Sequence, residues 1–161
     1  MADETLPSGE ERFQFAAWDE LGAGAPTVVA LAAICSQALI ASQPQPQPLS
    51  LPARTILFAA RERGVLEIKG TYDAFHATAR LLAVCILLED ERSLVFLSPG
   101  EPELTVRFLD GFRELCRSGL VMHHLYREFS LTGRGFDRAR QIAREEVEPL
   151  LAKFPLDSPY A

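Results

Sequence analysis

Lysine is nearly missing from this chain: fourteen of its sixteen basic side chains are arginine. A local cluster of arginines therefore reflects composition before it reflects a binding surface. Cysteine is scarce too, with only Cys35, Cys85 and Cys116 and no CxxC pair. An odd, scattered set argues against a disulfide framework and suits buried thiols in a reducing compartment. Long apolar runs are also missing. The most apolar stretch, residues 28–41, spans 14 residues and includes Ser36 and Gln37. At 1.5 Å per residue it falls short of a ~30 Å hydrocarbon core, so no membrane association is expected. The acidic start "MADETLPSGEERF" has the pattern of neither a secretory signal nor a basic transit peptide, which makes the cytoplasm the expected location. "ELGAGAPT" at 20–27 lacks the Gly-Lys-Ser/Thr ending of a phosphate loop and the third glycine of a dinucleotide fingerprint, and it reads as a hinge.

What is present is an ordinary globular composition, 48% hydrophobic and 24% charged over 161 residues, enough for one domain with a full core. The net charge of −6 is unevenly placed. Residues 1–24 carry −5 of it, so the body is nearly neutral and the leader is acidic. Residues 1–12 read as a disordered acidic tail, and 13–42 as a short strand (12–18) followed by an apolar helix (27–42). Residues 43–52, "PQPQPLSLP" with its flank, read as a polyproline-like linker. The main domain is expected at 53–154, with 155–161 as a tail.

Within that domain the periodicity predicts a helix over 53–63 closed by Gly64, and a strand at 65–69. A helix over 71–82 is expected next, with Phe75, Ala79 and Leu82 inward. Two strands in "LAVCILLEDERSLVFLS" follow. "SPGE" at 98–101 fits a capping box that opens a helix to 118, ended by Gly119. A last helix from about 133 carries Phe136, Ala139, Ala143, Val147, Leu150 and Phe154 as its apolar stripe, and Pro149 is expected to kink it or end it early. The fold class is α+β: helices on a small mixed or antiparallel sheet, with a tethered N-terminal helix.

Between 108 and 139 the pattern "F..L..SGLV" followed by "F.LT..G...A" resembles the C-terminal part of winged helix-turn-helix domains. Gly119, Leu120, Val121, Phe129, Leu131, Thr132 and Gly135 carry the resemblance. It covers roughly a fifth of the chain. It implies a recognition helix ending at Gly119, a two-stranded wing, and a DNA-binding regulator contacting phosphates through Arg113, Arg117, Arg127, Arg134 and Arg138. The residues also allow a structural reading. Gly119 permits a left-handed stop, and Thr132 caps the next helix. "MHHLYREF" has no Gly, Asn, Asp or Pro to reverse the chain, so 122–129 is open between one strand and a hairpin. The helix over 99–118 has a net charge of −1, a poor basis for phosphate neutralisation.

No catalytic or cofactor-binding constellation emerges, and no enzyme activity is expected. His123 and His124 are adjacent, so in a strand they point to opposite faces and cannot chelate together; no metal site is expected. The three cysteines lie in apolar runs, which favours unreactive thiols. The helix over 27–42 is apolar on most sides. Val28, Leu31, Cys35 and Leu39 form its candidate partner interface, toward a second copy of the chain or another protein. The leading expectation is a non-catalytic interaction or regulatory module that self-associates through this helix. The alternative is the winged-helix DNA-binding regulator.

Overall fold

In the computed structural model, residues 26–41, 47–70, 74–89 and 92–157 are described. The expected acidic tail, the short strand at 12–18 and most of the Gln-Pro run lie outside them. The architecture is α+β. In chain order the elements are α1 (Pro26–Ile40), α2 (Leu51–Ala60), β1 (Val65–Lys69), a 3-10 turn (Ala77–Arg80), β2 (Ala83–Leu87) and β3 (Ser93–Val95), then α3 (Pro102–Arg117), β4 (Val121–His123), β5 (Glu128–Leu131), α4 (Gly133–Arg140), α5 (Arg144–Leu151) and β6 (Leu156–Asp157). The strands form one sheet in the order β4-β5-β1-β2-β3-β6, antiparallel throughout.

Strand alternation decides which side of the sheet the helices cover. Leu66 and Ile68 of β1 are fully buried while Val65 and Glu67 are not. Residues directly opposite in the ladder share a face, so Leu66, Ile86, Leu94 and Phe129 form one apolar row under the helices. The other face is more open and carries Glu67, Ser93 and Ser130. Above the apolar face, α2 runs through the middle of the core and packs on α3, α4 and α5. Its Ser50 cap accepts the Ala53 amide at 3.3 Å, and Pro52 occupies the first turn. This is why the helix begins two residues before the expected 53. Phe96 stacks on Phe108 with ring centroids 4.1 Å apart, and both meet the edge of Phe154.

Several expectations are corrected here. The helix expected over 71–82 is, in its described part, only the turn Ala77–Arg80, and Phe75 is 101% exposed instead of inward. Lys69 and Ala83 are direct ladder partners, so the segment between them closes on itself and has no distance for a helix to span. The capping box at 98–101 does not form: α3 starts at Pro102, and the Glu101 side chain makes no capping bond. Ser98 instead donates its backbone N–H to the buried Thr105 hydroxyl at 2.8 Å. The final helix breaks at 141–143 rather than at Pro149, which lies inside α5. The break lets Ala139 on α4 and Val147 on α5 both reach the core beside α2. Leu156 and Asp157, expected in a tail, pair with β3.

Candidate functional site

The two regions singled out by sequence, α1 and the segment from the end of α3 through α4, lie side by side. α1 packs on α3 and on β4. Val28, Leu31 and Cys35 are 0–3% exposed, within the chain's own core, whereas Leu39 is 56% and Ile40 86% exposed. Of the four residues proposed as a partner interface, the structure therefore leaves only Leu39 accessible. The accessible side of α1 also carries Ala30, Ala33, Ser36 and Gln37. The helix has no charged residue along its 15 positions.

At the far end of α3 the chain is locked by a short set of hydrogen bonds. Gly119 takes φ +66, and the Leu120 amide reaches back to the Leu115 carbonyl at 3.0 Å. The Thr132 hydroxyl accepts the Gly135 amide at 3.1 Å and donates to the Gly119 carbonyl at 2.8 Å. Thr132 also gives its own amide to the Leu120 carbonyl at 3.0 Å. One threonine thus caps α4 and ties it to the end of α3.

Between them, β4 and β5 form a hairpin, resolving the question over 122–129. No glycine is needed because Tyr126 itself takes φ 51. The strain of a non-glycine residue there is offset locally. His124 donates its amide to the Glu128 carbonyl at 3.0 Å, and the His123 Nε2–H reaches the Tyr126 carbonyl at 2.8 Å. His123 lies toward the helices with its ring against Phe129, while His124 faces the opposite side and bonds the Ser130 hydroxyl. The two imidazoles diverge. Among the described residues no group of three His, Cys, Asp or Glu side chains is placed to hold a metal ion.

The arginines of the wing reading are not one surface. Arg113 is paired with Asp110 at 3.1 Å on the outer side of α3, where Glu103 and Arg107 make a second pair. Arg127 sits in the hairpin turn, its carbonyl accepting the Ile68 amide. Arg117 is exposed at the end of α3. Arg134 and Arg138 do come together. They line a pocket of about 240 Å³ whose apolar part is Leu49 and Leu120, with Ser118 and Gln141 at its polar edge. Among the described residues neither guanidinium has an ion-pair partner, and Asp137, which also borders the pocket, is held by Arg140 at 3.0 Å. A larger groove, about 440 Å³, runs along the start of α3 but is made by one stretch of chain, with Arg107 already neutralised by Glu103.

No family model matches the chain, and no curated protein or solved structure matches it.

The cysteines are as buried as the sequence implied, but two of them meet. Cys35 on α1 and Cys116 on α3 hydrogen-bond thiol to thiol. Burial, reinforced by this contact, pushes the Cys116 thiol far above the ordinary range. The hydrogen bond from Cys116 draws Cys35 down, against its own burial and with help from the His123 backbone. Neither reaches solvent, at 1% and 0% exposure, so the pair is not placed to attack a substrate. Spacing alone could not reveal it, because Cys35 and Cys116 lie far apart in sequence. The pocket was equally invisible, since Leu49, Leu120 and Arg138 come from three separate segments.

Proposed function

We propose that this chain is a non-catalytic interaction module that self-associates through the outer side of α1. One observation carries the reading: a helix without a single charge, which among the described residues is packed on one side only. A solvated helix face ordinarily carries charged side chains, and their absence marks a surface that is covered in use. A second copy is the favoured occupant. Ala30 and Ala33 are small enough for close helix–helix approach, and Leu39 and Ile40 supply the exposed apolar area. Light scattering is expected to give a mass above the 17.8 kDa of one chain. Leu39→Glu combined with Ile40→Glu should return the protein to a monomer with its fold intact. Deleting the helix is a poorer probe, because it would also strip Val28, Leu31 and Cys35 from the core. A monomeric intact chain at high concentration would end the proposal.

The second reading is the DNA-binding regulator. It draws support from the β4–β5 hairpin, which follows α3 as a wing would, and from Arg134 and Arg138, which have no ion pair among the described residues. Against it stands α3, whose outer side is neutralised by its own ion pairs. A titration against random-sequence duplex at two salt concentrations separates the cases. Little binding is expected at physiological salt. Tight binding that weakens steeply with salt, and flattens by about one counterion for each of Arg134→Ala and Arg138→Ala, would make this the leading reading.

A further inference from the structure

We propose that the pocket between residues 47–49, the end of α3 and the first turns of α4 binds a small organic anion: a phosphate monoester or carboxylate carrying a compact apolar arm. Self-association through α1 is neither required nor implied.

Charge supplies the first argument. Arg134 and Arg138 lie one helical turn apart on α4 and both border the pocket, unpaired among the described residues. A guanidinium presents its donors as a planar fork suited to carboxylate and phosphate oxygens. Arg113, Arg140 and Arg144 are each paired with an acid, Arg140 with the Asp137 that borders the pocket, whereas Arg134 and Arg138 face the hollow without an ion pair among the described residues. The end of a helix would ordinarily repel an anion through its free carbonyls. Here the Leu115, Gly119 and Leu120 carbonyls are all engaged, by the Leu120 amide and by Thr132, so fewer free carbonyls face the pocket from the end of α3.

Shape supplies the second. About 240 Å³ is below the ~300–1,000 Å³ of sites for drug-sized ligands, which favours a ligand smaller than a nucleotide. Leu49 and Leu120 line the same hollow, so an apolar arm would find cover next to the charged group. Ser118 and Gln141 offer hydrogen bonds at the edge. The walls are fixed before any ligand arrives: Thr132 binds α4 to the end of α3, and Gly135 lies directly against the Leu120 backbone. A pre-formed site loses little binding energy to ordering.

The test is a titration of the full chain with phenyl phosphate, benzoate and inorganic phosphate at constant ionic strength, read by amide NMR shifts. Shifts are expected to centre on Ser118, Leu120, Arg138 and Gln141. Phenyl phosphate should bind at least fivefold more tightly than inorganic phosphate; whichever of phenyl phosphate and benzoate binds better names the headgroup. Arg134→Gln and Arg138→Gln should each weaken binding at least fivefold while leaving the Tm nearly unchanged, since Arg134 is exposed, Arg138 is half-buried and neither belongs to the core. Leu49→Ala should reduce the advantage of phenyl phosphate over inorganic phosphate and leave the latter's affinity unaltered. Equal affinity for the phenyl and inorganic phosphates, shifts scattered over all surface arginines, or binding that survives the double arginine variant would each overturn the proposal. So would duplex DNA shifting these same amides when phenyl phosphate does not, because the arginines would then serve a polyanion.

Discussion

Gly135→Ala is expected to destabilise the protein by about 3 kcal/mol or more, although the residue lies in a helix, where alanine is normally preferred. The reason is local. A Cβ at this position would stand 2.1 Å from the Leu120 carbonyl oxygen and 3.2 Å from the Leu131 side chain. The first obstacle is backbone, held in place by the Thr132 amide, and it cannot rotate away as a side-chain tip could. Gly133→Ala provides the control: nothing lies within 4 Å of its Cβ, so it should be neutral or slightly stabilising. Urea unfolding of the two variants decides the matter, and similar midpoints would refute the close-packing account. The expected loss is also a statement about the "LT..G" pattern. Thr132 and Gly135 are required by the junction of α4 with the end of α3, whether or not DNA is ever bound.

Phe108→Ala should cost about 3–5 kcal/mol, the largest single side-chain effect anticipated in this chain. Phe108 is fully buried, stacked on Phe96 with an interplanar angle of 11° and edge-on to Phe154. Its loss opens a cavity bounded by α3, the segment after β3 and the end of α5, three parts of the chain that cannot collapse together without moving the sheet. Against a total stability of about 5–15 kcal/mol typical of a domain, such a loss approaches complete unfolding. Phe75→Ala removes an equally large ring from an exposed position and should change stability by about 0.5 kcal/mol at most. Thermal or urea melts of the pair give the comparison; a small loss at Phe108 would mean that the three rings do not form a common core.

The elements legible in the sequence were those whose burial follows a simple period. The alternation in "VLEIK" and the spacing of Phe108, Phe112 and Leu115 survive intact because one face of each element meets one continuous core. The α+β class followed from them, whereas the choice between a mixed and an antiparallel sheet is made by the strand pairing. The misread segments fail for reasons that no local window contains. A helical pattern over 71–82 yields to the pairing of Lys69 with Ala83, a decision made by strand register. Ser98 has the composition of a helix cap, but a threonine seven residues downstream claims its amide. The hairpin at 124–127 lacks turn residues because histidine and backbone contacts hold Tyr126 in a left-handed conformation, and propensity alone would not select tyrosine there. The pocket was the least legible. Its arginines were visible in the sequence as candidate phosphate contacts, but their convergence with Leu49 and Leu120 belongs to tertiary structure.

The central place of β1 in the sheet has a consequence for the order of assembly. Its partner on one side, β2, follows closely, and β2 and β3 continue the same meander. Its partner on the other side, β5, arrives about 60 residues later, with Leu66 opposite Phe129. Loop closure over that distance is entropically costly, so the β1–β2–β3 ribbon is expected to gather first, with its β1 edge unsatisfied. During that interval the open edge is a template for any other strand, including one from another molecule. The α3–β4–β5 segment can form its own hairpin locally and then dock as a unit, closing the edge in a single event. Slow refolding with concentration-dependent losses would be the kinetic signature of a sheet completed from its middle.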